Sequence, residues 1–137
     1  MDRNLALEFV RLTEAAALAA AAHMGRGDEA IADSTAVEAM HKLFPDIEFN
    51  GHLVLGEGDE DSVPMLYVDE GLGTGKGESI EVVVDALEGA TSCALGAQNA
   101  ISAIAVAEEG GFLRCPADVY MEKIAVGAWG RGVIDLD

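Results

Sequence analysis

The sequence predicts a single α+β domain over residues 1–137, in which two helices lead into several strands. Apolar residues recur at helical spacing through the first third. From Ile47 onward they gather instead into short β-branched runs separated by glycine-bearing and acidic turns. With 137 residues, 50% of them hydrophobic, the chain is long enough for one buried core, and no repeat or linker divides it.

From Arg3 to Met24, Leu5, Phe9, Leu12 and then a run of alanines share one face. The pattern predicts a long, closely packing helix, with Asp2 complementing its N-terminal dipole and Gly25 stopping it. "GRGDEAIAD" reads as a polar loop, and Thr35 with Glu38 has capping-box spacing for a second helix that Pro45 ends, so Asp33 lies beside a helix start. "IEFNGHLVLGEG" and "PMLYVD" read as strands around the acidic loop "EGDEDS", and "SIEVVVD" as a short strand ending at Asp85. Between them "GLGTGKGES" fails the phosphate-loop pattern, because Glu70 stands where glycine is needed and Gly77 where serine or threonine is needed. It reads as a mobile hairpin connection. "ATSCALGA" predicts a short helix or helical turn, and "NAISAIAVAEE" with "FLRCPADVYMEKIAVG" a hairpin turning at Gly110-Gly111, with Pro116 marking a bulge or break.

Acidic residues outnumber basic ones 25 to 8, giving a formal net charge of −17. Such a field repels nucleic acid and anionic membranes, so neither is an expected partner. It suits cation binding, and it equally suits a plain hydrated surface. The most apolar run, Ala15 to Ala22, is mostly alanine and too short to span a bilayer. Asp2, Glu8 and Glu14 argue against a signal peptide, which makes the cytoplasm the expected location. Cys93 and Cys115 lack C-x-x-C spacing and read as reduced core thiols; His23, His41 and His52 are scattered and read as surface or packing residues.

"DALEGAT", residues 85–91, carries the chemistry. Asp85 at one strand end, Glu57 just after "LVLG" and Glu88 within a turn's reach offer hard oxygen ligands, which favour magnesium or manganese over zinc. Gly89, Ala90 and Thr91 would open a helix whose free N–H groups can hold a phosphate oxygen, so Gly89 and Thr91 are candidate substrate contacts. Metal-assisted hydrolysis of a phosphate ester needs that adjacency. On spacing alone, an acidic turn remains the simpler reading.

"MDRNLALEFVRLTEAAALAAA", "GRGDEAIAD", "GEGDEDSVPMLYVDE", "GTGKG", "DALEGAT", "NAISAIAVAE", "VYMEKIAVG" and "GVIDLD" occur in that order. They resemble the N-terminal part of class II fructose-1,6-bisphosphatases, a family that includes members acting on sedoheptulose-1,7-bisphosphate. The resemblance implies the N-terminal part of a layered α/β sandwich and a lithium-sensitive sugar bisphosphate 1-phosphatase dependent on Mg2+ or Mn2+. It implies Asp33, Glu57, Asp85 and Glu88 as metal carboxylates, Asp61 as a catalytic carboxylate helping to activate the attacking water, and Tyr120 as a substrate contact. The family's pattern D-P-[IL]-[ED]-G-T departs here at Ala86, in place of proline, and Ala90, in place of a threonine that would hold phosphate. Family members also continue beyond "GVIDLD" into a half that supplies another metal ligand and arginine-rich substrate loops. The expected partners are therefore a sugar phosphate and either further copies in a homo-oligomer or a complementing chain. The alternative to an enzyme is a non-catalytic domain of the same fold that binds metal or a phosphorylated ligand.

Overall fold

The two helical periods in the first third become two packed helices in the computed structural model, which describes residues 3–114, 119 and 121–135. Helix α1 spans Arg3–Ala21 and buries Leu5, Phe9, Leu12, Ala16 and Ala20 along one stripe. Helix α2 spans Glu29–His41 and meets that stripe with Ala32 and Ala36, small side chains on both sides letting the backbones approach. Asp2, the expected dipole partner, lies outside the described residues.

Helix α2 starts earlier than the Thr35–Glu38 spacing predicts. Asp28 is its N-cap, accepting the Ile31 N–H at 3.0 Å, while the Thr35 hydroxyl donates within the helix to the Ile31 carbonyl at 2.6 Å. The earlier cap wins because it admits Ala32 to the helix and buries it against α1. Asp33 consequently sits inside the first turns of α2 and not beside its start.

Four strands form one sheet in the order β2-β1-β3-β4: β1 is Asn50–Leu55, β2 Gly71–Leu72, β3 Ser79–Glu88 and β4 Ile101–Glu108. β1 and β3 are parallel; β2 and β4 run antiparallel to their neighbours. Helix α3, Ala90–Ala94, follows β3 directly. The helices pack on the sheet around Phe49, whose ring meets Phe9 and Phe44 edge to face at centroid distances of 5.3 and 6.2 Å. The fold is thus α+β, with β3 central in the sheet and buried along most of its length.

Two expected strands do not form among the described residues. "PMLYVD" makes only an isolated bridge, because Leu66 and Asp69 take positive φ (55° and 68°) and the loop folds onto itself. Gly56 is required there, since a Cβ on it would lie 2.1 Å from the Leu66 carbonyl oxygen. The described residues of "FLRCPADVYMEKIAVG" contain no strand, and residues 115–118 and 120, including Cys115 and Tyr120, lie outside the described set. The "GLGTGKGES" segment is no hairpin between β2 and β3. Leu72 pairs with β1, and the loop is fastened beneath by Thr74 and Gly75 N–H groups donating to the Ile47 and Phe49 carbonyls at 3.0 Å.

Leu7, Val10 and Leu18 on the outer side of α1 and Ile101 on β4 are exposed, and Trp129 is 99% exposed. Among the described residues no helix is long and apolar enough to cross a membrane.

Candidate functional site

Because β1 and β3 are parallel, their carboxyl ends reach the same edge of the sheet, and Glu57 just past β1 comes beside Asp85 and Glu88 on β3. The sequence pattern ends this strand at Asp85, but the strand continues through Glu88 by means of a bulge. Against β4, Asp85 pairs with Ala103 and Glu88 with Ile101, so three steps on β3 oppose two on β4. Residues three apart on a regular strand point to opposite faces. The extra residue cancels that alternation: Ala86 and Leu87 are both buried, at 0% and 6% exposure, and the flanking carboxylates both retain access to solvent.

Glu57 accepts the Ala86 N–H through Oε1 at 2.7 Å. Burial holds the Glu57 carboxyl above its usual range, with the Ala86 N–H opposing and the charges of Asp33 and Glu88 reinforcing the rise. Asp85 is pushed up to about 7, first by burial, then by hydrogen bonding with Glu88 and Glu57 and by their charge. Asp33 on α2 is raised by burial. No basic side chain contributes to any of these three shifts. Asp33, Glu57, Asp85 and Glu88 therefore share one electrostatic neighbourhood built from α2, the loop after β1 and the bulged end of β3. Among the described residues, no three such groups are already gathered as a cation cage. A groove of about 310 Å³ beside them is lined by Leu55, Gly56, Glu57, Val83, Asp85 and Ala103.

The remaining candidates fall differently. Asp61 is exposed in a turn organised by Asp59, whose Oδ1 accepts the Asp61 and Ser62 N–H groups at 3.1 and 3.2 Å, and its charge reaches none of the shifted carboxylates. Gly89 adopts the left-handed conformation (φ 84°, ψ 43°) that turns β3 into α3, which is only five residues long. The Thr91 hydroxyl donates to Glu29 on α2. Ala90 is half-buried and packs against the core. Tyr120 lies outside the described residues.

Sequence reasoning passes over Glu81, a lone acid in the middle of "SIEVVVD". Its side chain is 1% exposed and lies 3.8 Å from His52 Nε2; it receives the Arg114 guanidinium and the Phe112 N–H at 3.3 Å. The Gly110 N–H is the chief cause holding its carboxyl below the usual range. A charged residue at an apolar strand position is the signal that marks it. His41 pairs with Glu70 at 2.7 Å, so both it and His52 contact acidic side chains that tie strands and loops together. Cys93 is a buried free thiol whose Sγ faces the Ala20 carbonyl at 3.6 Å.

Residues 3–137 match the family described as bacterial fructose-1,6-bisphosphatase, glpX-encoded. The chain belongs to that family. It is 46% identical over 137 residues to fructose-1,6-bisphosphatase 1 class 2 of Escherichia coli K12, and 47% identical over 137 residues to fructose-1,6-bisphosphatase class 2 of Haemophilus influenzae. Those alignments cover 100% of this chain but only 40% and 41% of the relatives. The chain therefore spans about two fifths of the class 2 fructose-1,6-bisphosphatases it matches, corresponding to their N-terminal portion.

Proposed function

We propose that this chain supplies the cation-holding part of a sugar bisphosphate 1-phosphatase acting on fructose-1,6-bisphosphate, with sedoheptulose-1,7-bisphosphate as a second substrate. The observation that carries this reading is the β3 bulge, which brings Asp85 and Glu88 beside Glu57, itself within reach of the Asp33 charge, with no basic side chain among the described residues contributing to their shifts. All four donors are hard carboxylate oxygens, and burial with mutual repulsion raises Asp85 and Glu57 above the ordinary carboxylate range. That donor set fits Mg2+ or Mn2+. Asp33, Glu57, Asp85 and Glu88 would hold the cation, which when bound neutralises phosphate oxygens and acidifies water.

The chain's own residues do the rest. Gly89, free of a side chain at a left-handed position, lets backbone N–H groups approach the phosphate. By the family resemblance, Asp61 would help to orient the attacking water and Tyr120 would contact the substrate. Thr91 is held by Glu29, so its hydroxyl does not stand in for the one missing at Ala90. We place the chain as the N-terminal part of a layered α/β sandwich. Its partner is a complementing polypeptide or a second copy covering the exposed residues of α1 and β4.

A second reading has its own support: position 90 carries no hydroxyl and that of Thr91 is committed to Glu29, as in a domain that binds metal or a phosphorylated ligand without turnover. Phosphate release from fructose-1,6-bisphosphate with Mn2+ distinguishes the two, measured for this chain alone and mixed with the remaining portion of a class 2 relative. Release by the mixture supports the enzyme. Saturable Mn2+ binding with no release in either sample supports the binding domain.

A further inference from the structure

We propose that the Ala86 amide is a tether that competes with the cation for Glu57. The proposal rests on the metal reading above and adds a determinant of how tightly the cation binds.

The tether follows from the bulge. Neither Ala86 nor Leu87 has a register partner on β4, and Ala86 is fully buried, so its N–H would be costly to leave unpaired. Glu57 Oε1 takes it at 2.7 Å, a length typical of a charge-assisted bond. Meanwhile the charges of Asp33 and Glu88 act against the ionised form of Glu57. The amide offers the positive end of a dipole where the cation would offer a full charge. Holding Glu57 by that dipole draws electron density from Oε1 and fixes its direction, so a cation bound through Oε1 shares or displaces the bond, and one bound through Oε2 meets a weakened, less mobile donor. The donor exists only because residue 86 is not proline, which has no N–H. In the D-P-[IL]-[ED]-G-T pattern, that position carries no such competitor.

Two measurements test the tether. In the 15N-labelled chain, the Ala86 amide proton resonance moves upfield as Mg2+ saturates the site. In calorimetry, Ala86→Pro binds Mn2+ about ten-fold more tightly than the parent, the scale of one hydrogen bond to a charged group given up, while Ala86→Gly, which keeps the donor, binds as the parent does. The proposal is overturned if the Ala86 resonance stays fixed while those of Asp85 and Glu88 move, or if folded Ala86→Pro binds Mn2+ equally or more weakly. Should Ala86→Pro not fold, the amide resonance decides alone. A parent chain with no saturable Mn2+ binding removes the metal reading and the tether together; binding that Asp85→Asn abolishes but Ala86→Pro leaves unchanged removes only the tether.

Discussion

Thr91 and Glu29 are joined across the fold: the hydroxyl at the start of α3 donates to the carboxylate in the first turn of α2. The hydroxyl nearest in sequence to Ala90 is thereby engaged by α2. If the chain completes a phosphatase with the remaining portion of a class 2 relative, as proposed, Ala90→Thr is expected to raise phosphate release by that mixture about 10²-fold, the scale of one positioned polar group. Glu29→Ala, which frees Thr91, gives no such gain. Equal rescue by both would show that Thr91 serves the phosphate once released.

Metal-free stability should fall as pH rises from the ordinary aspartate range toward neutrality. Asp85 holds its proton up to about pH 7 in the folded state, against an ordinary value of 3.8, so between those limits the native chain binds more protons than the unfolded one. Burial of Asp33 and Glu57 acts in the same direction. Thermal melts in chelator at pH 5 and pH 8 are expected to differ in favour of pH 5. Asp85→Asn should raise the melting temperature at pH 8 and flatten the difference; an unchanged slope would count against a raised Asp85 carboxyl.

Glu81 acts with the opposite sign. Its carboxyl lies below the usual 4.5, so its stabilising effect is present above that value and disappears as pH falls through the lowered one. Glu81→Gln removes the charge that holds Arg114 and weakens the acceptor for Gly110 and Phe112. Hydrogen exchange at the Gly110 and Phe112 amides is expected to accelerate in this variant while the interior of α1 keeps its protection. Unchanged exchange at both amides would show that the segment is held by other contacts.

Phe49, just before β1, is fully buried and packs edge to face against Phe9 of α1 and Phe44 of the turn after α2. Phe49→Ala should destabilise the chain by about 3–5 kcal/mol, read as a shift in the denaturant midpoint. Leu18→Ala, on the exposed side of α1, should cost far less.

Much of the fold is legible in the amino-acid sequence. The alanine stripe of α1 and the apolar run of β3 mark their elements through periodicity, since burial on one face leaves a repeating trace. Glu57, Asp85 and Glu88 are legible as acids at strand ends. The bulge is not, because one extra residue in a ladder is defined by the partner strand and has no local signature. The start of α2 is ambiguous because Asp28 and Thr35 are both competent caps, and only packing against α1 chooses between them. "PMLYVD" imitates a strand because its apolar residues fill a self-packed loop, whose positive φ at Leu66 is imposed by its neighbours.

The outer edge of β4 has no strand beside it among the described residues. An open edge is a template for sheet extension between molecules. The formal charge of −17 opposes that meeting, so ionic strength becomes the control on colloidal behaviour. In dilute buffer the chains should stay apart. Near 1 M salt, where the screening length falls to about 3 Å, light scattering should rise with time, and a lysine placed at Ala105 on β4 should delay it.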